Sequence, residues 1–97
     1  MSRANGRLLL FVADDEPNSR RAKSNLRSLP SDIVEDSYEV EIIDVLEDYR
    51  AAIRHNILVT PSLLVQRHDE EFLVLGDLSD SERVESLLQM DEPINER

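Results

Sequence analysis

Gly76-Asp77-Leu78-Ser79-Asp80-Ser81-Glu82-Arg83-Val84 marks the point where an extended chain gives way to a helix. Phe72–Leu75 before it is a short apolar run, and Gly76 supplies the break. Ser79 and Glu82 have capping-box spacing: the Ser79 hydroxyl is placed to accept the N3 amide, and the Glu82 carboxylate to reach back to the cap amide. Asp80 and Glu82 also put negative charge in the first helical turn, where the helix dipole favours it. A helix over 79–89 follows, with Val84, Leu87 and Leu88 facing inward. Taken alone, Ser-x-x-Glu is only a well-built helix start. The elements upstream give it a place in a fold.

Working back along the chain, 71–75 and 62–66 read as two strands joined by a turn over 67–70. Leu8–Val12 is an unbroken Leu-Leu-Leu-Phe-Val run, the pattern of a strand buried on both faces. After a loop over 14–18, Asn18 or Ser19 can cap a helix carrying Ala22, Leu26 and Leu29 at i, i+4 and i+7. Pro30 ends that helix near Ser28. Residues 31–37 form a polar connection, and 38–45 a partly exposed strand with alternating acids. Leu46, Tyr49 and Ile53 mark a short helix, with Asp44 and Glu47 at capping-box spacing and His55-Asn56 at its end. The predicted order is β-α-β-α-β-β-α: a parallel crossover unit, then a hairpin, in one four-stranded mixed α/β sheet. That order resembles the thioredoxin-like fold, in which a cis-proline precedes the third strand. Thr60-Pro61 has that position, and a cis X-Pro bond is only mildly unfavourable. One domain is expected over 8–90, between flexible segments 1–7 and 91–97.

The chain has 97 residues, of which 40% are hydrophobic, enough for one modest core. Its net charge is −10. Nucleic acid and anionic membrane surfaces are disfavoured as partners, because both require clustered Lys and Arg. No apolar run reaches the length of a membrane span and no export signal is legible, so a cytoplasmic location is expected. The charge is polarised. Arg20, Arg21, Lys23 and Arg27 fall in the first helix, whereas every charged residue from Asp32 to Asp48 is an acid. Such a pattern suits a solvated surface or a module that docks one face onto a charged protein.

The chain contains no cysteine. Thiol–disulfide exchange, thiolate nucleophiles and cysteine metal sites are therefore closed to it on its own. A thioredoxin-like enzyme would place Cys-x-x-Cys where this chain has Asp14-Asp15-Glu16-Pro17-Asn18. Leu9–Pro17 also resembles the first motif of receiver domains, with paired acids after a strand. A receiver needs a late lysine and a phosphoacceptor after its third strand. Lys23 is the only lysine, and Asp44 follows the second strand, so the context fails. Asp14, Asp15 and Glu16 can supply oxygen ligands, but they precede a helix, where acids ordinarily serve the dipole. His55 and His68 lack zinc-site spacing, and Ser62 and Ser79 lack a visible His–acid arrangement. No catalytic residue, metal or cofactor is expected.

Three segments resemble the KaiB family of circadian clock proteins. They are Phe11-Val12-Ala13 with Pro17-Asn18-Ser19 and Arg21-Ala22; Tyr38 with Ile43-Asp44-Val45-Leu46, Ile57-Leu58 and Thr60-Pro61-Ser62-Leu63; and the Gly76–Val84 run. The resemblance implies a non-enzymatic protein that binds a KaiC-type ring ATPase in a circadian or stress-signalling system. It also implies a thioredoxin-like state that can exchange with a second fold, in which the C-terminal half is rearranged and the protein self-associates. A thioredoxin-like domain of the same kind is the sensory part of clock histidine kinases, which makes a kinase a second candidate partner. The agreement of local signals over 62–89 predicts mainly the thioredoxin-like state, as monomer or homo-oligomer.

Where the family carries a lysine near Glu41 and a small residue near Glu39, this chain carries acids, which counts against KaiA binding. The expected docking face for the ATPase is the first helix and the loop before it: Asn18, Arg21, Lys23 and Arg27. Pro61, Gly76, Ser79 and Glu82 are expected to be structural. The rival reading is an independent thioredoxin-like interaction or sensory adaptor module.

Overall fold

The computed structural model of the chain describes residues 6–68 and 70–89. Its elements are β1 (Gly6–Val12), α1 (Pro17–Ser28), β2 (Tyr38–Asp44), α2 (Tyr49–Arg54), β3 (Ser62–Arg67), β4 (Glu70–Leu75) and α3 (Ser81–Gln89). The strands form one sheet in the order β2-β1-β3-β4. β1 pairs parallel with β2 and antiparallel with β3, and β3 pairs antiparallel with β4. This is the mixed sheet and element order expected from the sequence. Gly6 and Arg7, expected to be loose, instead belong to β1. The tail expected over 91–97 lies outside the described residues.

Each face of β1 feeds a separate core. Leu8, Leu10 and Val12 point to one side, where α1 and α3 pack with Leu63 and Val65 of β3. Leu9 and Phe11 point to the other, against Ile43, Leu64 and Ala51 of α2. The all-apolar run of β1 follows from this, since it is an inner strand covered by helices on both faces. The connection over 31–37 is less polar in effect than in sequence. Ile33 and Val34 are buried, because the turn that starts at Pro30 folds them beneath α1.

The helix ends depart from the expected caps. α1 begins at Pro17, whose missing N–H costs nothing in the first turn. Its cap is Glu16, which accepts from the Ser19 amide at 3.1 Å, rather than Asn18 or Ser19. Ser19 is fully buried, and its hydroxyl accepts from the Ala13 amide at 2.9 Å. Asp48, not the Asp44/Glu47 pair, caps α2 by accepting from the Ala51 amide. The Asp44 carboxylate is occupied elsewhere, accepting from the amides of Asp14 and Leu46.

The Ser79/Glu82 capping box does not form. Asp80 accepts from the Arg83 amide at 3.3 Å, and α3 starts at Ser81. Ser79 is drawn back instead, its amide donating to the Asp77 carboxylate at 3.1 Å. Aspartate caps as well as serine does, so the more C-terminal candidate wins once Asp77 has claimed Ser79. Glu82 then sits in the first turn as a partner of the helix dipole. Gly76 has φ 101°, a backbone state that favours glycine. Leu78 also lies in the left-handed region, at φ 66°, while its side chain is buried in the larger core and anchors the loop.

Candidate partner interface

Three loops meet at one end of the sheet. Phe11 pairs with Ser62, and Ser62 with Leu75. This register brings the β1–α1 loop, the Thr60-Pro61 bond and the Gly76–Asp80 loop to the same level. Thr60-Pro61 is cis. The Gly76 amide donates to the Pro61 carbonyl at 3.0 Å, and the Ser62 hydroxyl to the Val59 carbonyl at 2.6 Å. In place of a thiol pair, the β1–α1 loop is a closed polar network built on Ser19, Glu16 and Ala13.

α1 borders this end and carries the expected docking residues. Buried Ser19, Ala22 and Leu26 form its inner line. Asn18, Arg21 and Asn25, spaced by three and four residues, share one flank. Arg20, Lys23 and Arg27 share the other. The four expected residues are therefore divided between two sides of the helix.

The first flank is engaged within the molecule. Arg21 donates to the Asp77 carboxylate at 3.3 Å and to the Asn18 side chain, and the Asn25 amide donates to the Asp77 carbonyl at 2.8 Å. The second flank is different: among the described residues neither Lys23 nor Arg27 forms a salt bridge. Arg27 is exposed, whereas Lys23 is partly buried.

Asp77 is the hub of the first flank, a role that the sequence did not disclose because its partners are 56 and 52 residues away. A hydrogen bond from the Ser79 hydroxyl holds its carboxyl below the usual range, helped by the Ser79 amide and by Arg21 against a burial effect of opposite sign. A carboxyl depressed by folding stabilises above its unfolded pKa of about 3.9, and that contribution is lost as pH falls through the lower folded value. Asp77→Asn is therefore expected to flatten the acid limb of the stability profile below about pH 4 while leaving the neutral-pH fold intact. Urea melts across that range check it; an unchanged acid limb would show that the loop carboxylate is not linked to folding.

At the opposite edge, β2 presents the exposed acids Glu39 and Glu41. Glu41 pairs with Arg7 at 3.0 Å, but both side chains are about half exposed, so the pair contributes little. Among the described residues, no group of three His, Cys, Asp or Glu side chains is placed to hold a metal ion. No helix among them is long and apolar enough to cross a membrane.

The KaiB domain matches this chain over residues 9–90. The chain belongs to the KaiB family. It is 36% identical over 77 residues to circadian clock protein KaiB3 of a Synechocystis strain, across 79% of this chain and 76% of that protein. It is 39% identical over 77 residues to the circadian clock oscillator protein KaiB of a Prochlorococcus marinus strain, across 79% of this chain and 66% of that protein, just under two thirds of its length. In fold, this KaiB-family chain matches the N-terminal domain of SasA from Synechococcus elongatus with a TM-score of 0.67 at 20% identity, across 97% of this chain and 92% of that one. Deadhead, a germline thioredoxin of Drosophila melanogaster, gives a TM-score of 0.68 at 17% identity, across 86% and 78% of the two chains. The fold is thus thioredoxin-like, as the element order implied, and its first loop has no thiol.

Proposed function

We propose that this chain is a non-enzymatic clock-type regulator that binds a KaiC-type ring ATPase. The match to the KaiB family across nearly the whole domain carries the reading. The cysteine-free first loop supports it by removing redox exchange as the use of the fold. Docking runs through Asn18, Arg21, Lys23 and Arg27. Within that set the Lys23/Arg27 flank supplies charge to an acidic partner, and Asn18 and Arg21 position the Asp77 loop. The acidic β2 edge formed by Glu39 and Glu41 counts against KaiA as a partner.

The test is a binding titration against a KaiC-type ATPase, with and without ATP. Lys23→Glu combined with Arg27→Glu is expected to weaken binding by about tenfold, with the loss shrinking at high salt. Unchanged affinity would remove this flank from the interface, and no binding in either nucleotide state would defeat the proposal. A second reading has its own support in the resemblance to the SasA N-terminal domain: a sensory adaptor that meets a histidine kinase. Capture of a kinase but not of the ring ATPase would favour it.

A further inference from the structure

β4 is an outer strand of the sheet, and its free edge carries backbone groups with no partner among the described residues. The bond from the Gly76 amide to the Pro61 carbonyl fixes which groups these are. Hydrogen-bonded and non-bonded pairs alternate along an antiparallel ladder. Counting from Pro61 and Gly76, the pairs Ser62–Leu75, Leu64–Leu73 and Gln66–Glu71 are non-bonded. The N–H and C=O groups of Glu71, Leu73 and Leu75 therefore point away from β3, toward the open edge.

The side chains of Leu73 and Leu75 share one face. Leu73 lies across from Leu64, and Leu75 across from Ser62, which pairs in turn with Phe11. Leu64 and Phe11 belong to the smaller core, but no residue of β4 does, so Leu73 and Leu75 stay 39% and 62% exposed. β2, the other outer strand, also exposes Val40 and Ile42. There the exposed acids Glu39 and Glu41 alternate with them, the kind of charge that keeps an edge from pairing. From Phe72 to Leu75, β4 has no charge, proline or bulge, and Phe72 and Val74 pack against the larger core.

Charge identifies the occupant. The apolar strip ends at Glu71, which is exposed, accepts from the neutral Gln66 side chain at 2.9 Å and forms no salt bridge among the described residues. An antiparallel segment laid along β4 meets Leu75, then Leu73, then Glu71. A second copy of β4 fits badly: turned about Leu73, it sets each Glu71 against the other copy's Leu75. A segment reading apolar-x-apolar-x-basic matches all three positions.

We propose that the free edge of β4 is a strand-addition site for an extended segment of a partner protein, with apolar side chains opposite Leu75 and Leu73 and a lysine or arginine opposite Glu71. The site is separate from the α1 flank and does not rest on ATPase binding.

Peptides of that pattern test it, with valine, isoleucine or phenylalanine at the apolar positions and lysine at the basic one. They are titrated into the isotope-labelled chain and followed by NMR. At least one is expected to shift the Leu73 and Leu75 amide signals and slow their exchange with solvent. Glutamate in place of the peptide's lysine is expected to weaken binding by about tenfold, and Glu71→Lys to reverse that preference. Such a reversal cannot arise from a folding defect. Leu73→Pro removes an outward amide and spares the β3 ladder, so it is expected to abolish binding with an unchanged circular dichroism spectrum. No shift on β4 with any of the peptides overturns the proposal. So does equal binding of a peptide N-methylated at its edge-pairing amides, or a charge preference that Glu71→Lys leaves unchanged. Shifts on β4 that grow with the concentration of the chain alone overturn it in favour of a second copy.

Discussion

Arg67→Ala is expected to lower the unfolding free energy by about 2–3 kcal/mol, the loss associated with removing a hydrogen-bonded charged group and stranding its buried acceptors. Arg67 is 8% exposed, the one buried residue of formal charge among those described. Its guanidinium donates to Tyr38 Oη at 3.2 Å, to the Leu87 carbonyl at 3.4 Å and to Glu70 at 2.9 Å. Tyr38 in turn donates to the Leu88 carbonyl at 2.7 Å. Burial works to lower the pKa of Arg67, but the bonds to Tyr38 and Glu70 outweigh it, so the guanidinium stays charged.

Together these two side chains satisfy carbonyls at the C-terminal end of α3, where a helix leaves acceptors without partners and a positive charge suits its dipole. Register explains how they meet. Tyr38 on β2 and Arg67 on β3 both pair with Gly6 of β1, and Gly6 has no side chain to separate them. A Cβ at Gly6 would also run into the Gln66 carbonyl oxygen. Truncating Arg67 strands Tyr38 and the Leu87 carbonyl and leaves Glu70 without its cation. Arg67→Met, which keeps the packing stem, is expected to recover part of the loss. Urea melts of both variants measure the difference, and amide exchange in α3 should quicken more than in α1. A cost below about 1 kcal/mol for Arg67→Ala would show that the clamp is dispensable.

Phe11→Ala is expected to cost about 3–5 kcal/mol, the range for removing a buried aromatic ring. Phe11 is fully buried and is the largest side chain of the smaller core, with Leu9, Ile43, Leu64 and Ala51 around it. That core is roofed by a six-residue helix, which has few contacts with which to collapse into a cavity. His55, at the end of the same helix, sets its ring 5.9 Å from Phe11, tilted by 57°, and would lose that contact too. A domain of this size has only about 5–15 kcal/mol in total, so the variant sits near its folding limit. Leu58→Ala is the control: Leu58 is 92% exposed, and the change should move stability by less than about 0.5 kcal/mol. Thermal and urea denaturation of the two variants side by side decide it. Equal effects would mean that the second core adds nothing to global stability.

The fold was legible where pattern and burial coincide. Leu8–Val12 announced an inner strand, the Ala22/Leu26/Leu29 line the buried side of α1, and Thr60-Pro61 the level at which β3 begins. The caps were not, because the residues around each helix start offer rival acceptors. Serine against aspartate at 79–80 was decided by Asp77, and Asp44 was lost to α2 because the β1–α1 loop used its carboxylate. The Leu46/Tyr49/Ile53 spacing located α2 but not its orientation. Helical spacing predicts a helix, not which way its apolar face turns: Leu46 lies before α2, Tyr49 and Ile53 point outward, and Ala51 is the residue buried against the sheet. Of the docking residues, composition showed that α1 is basic, but its division into an engaged and an open flank depended on where Asp77 lands.

By itself the sequence determined the element order, the inner strand, the absence of thiol chemistry and the family resemblance. These are properties of local pattern and composition, which each segment carries along its own length. The packed fold alone settled that Arg67 is buried, that Gly6 lets it reach Tyr38, that Asp77 ties α1 to the last loop, and that α2 turns Ala51 inward and Tyr49 and Ile53 outward. Each of these depends on groups brought together from distant parts of the chain, where strand register and competition for a shared hydrogen-bond partner set the outcome.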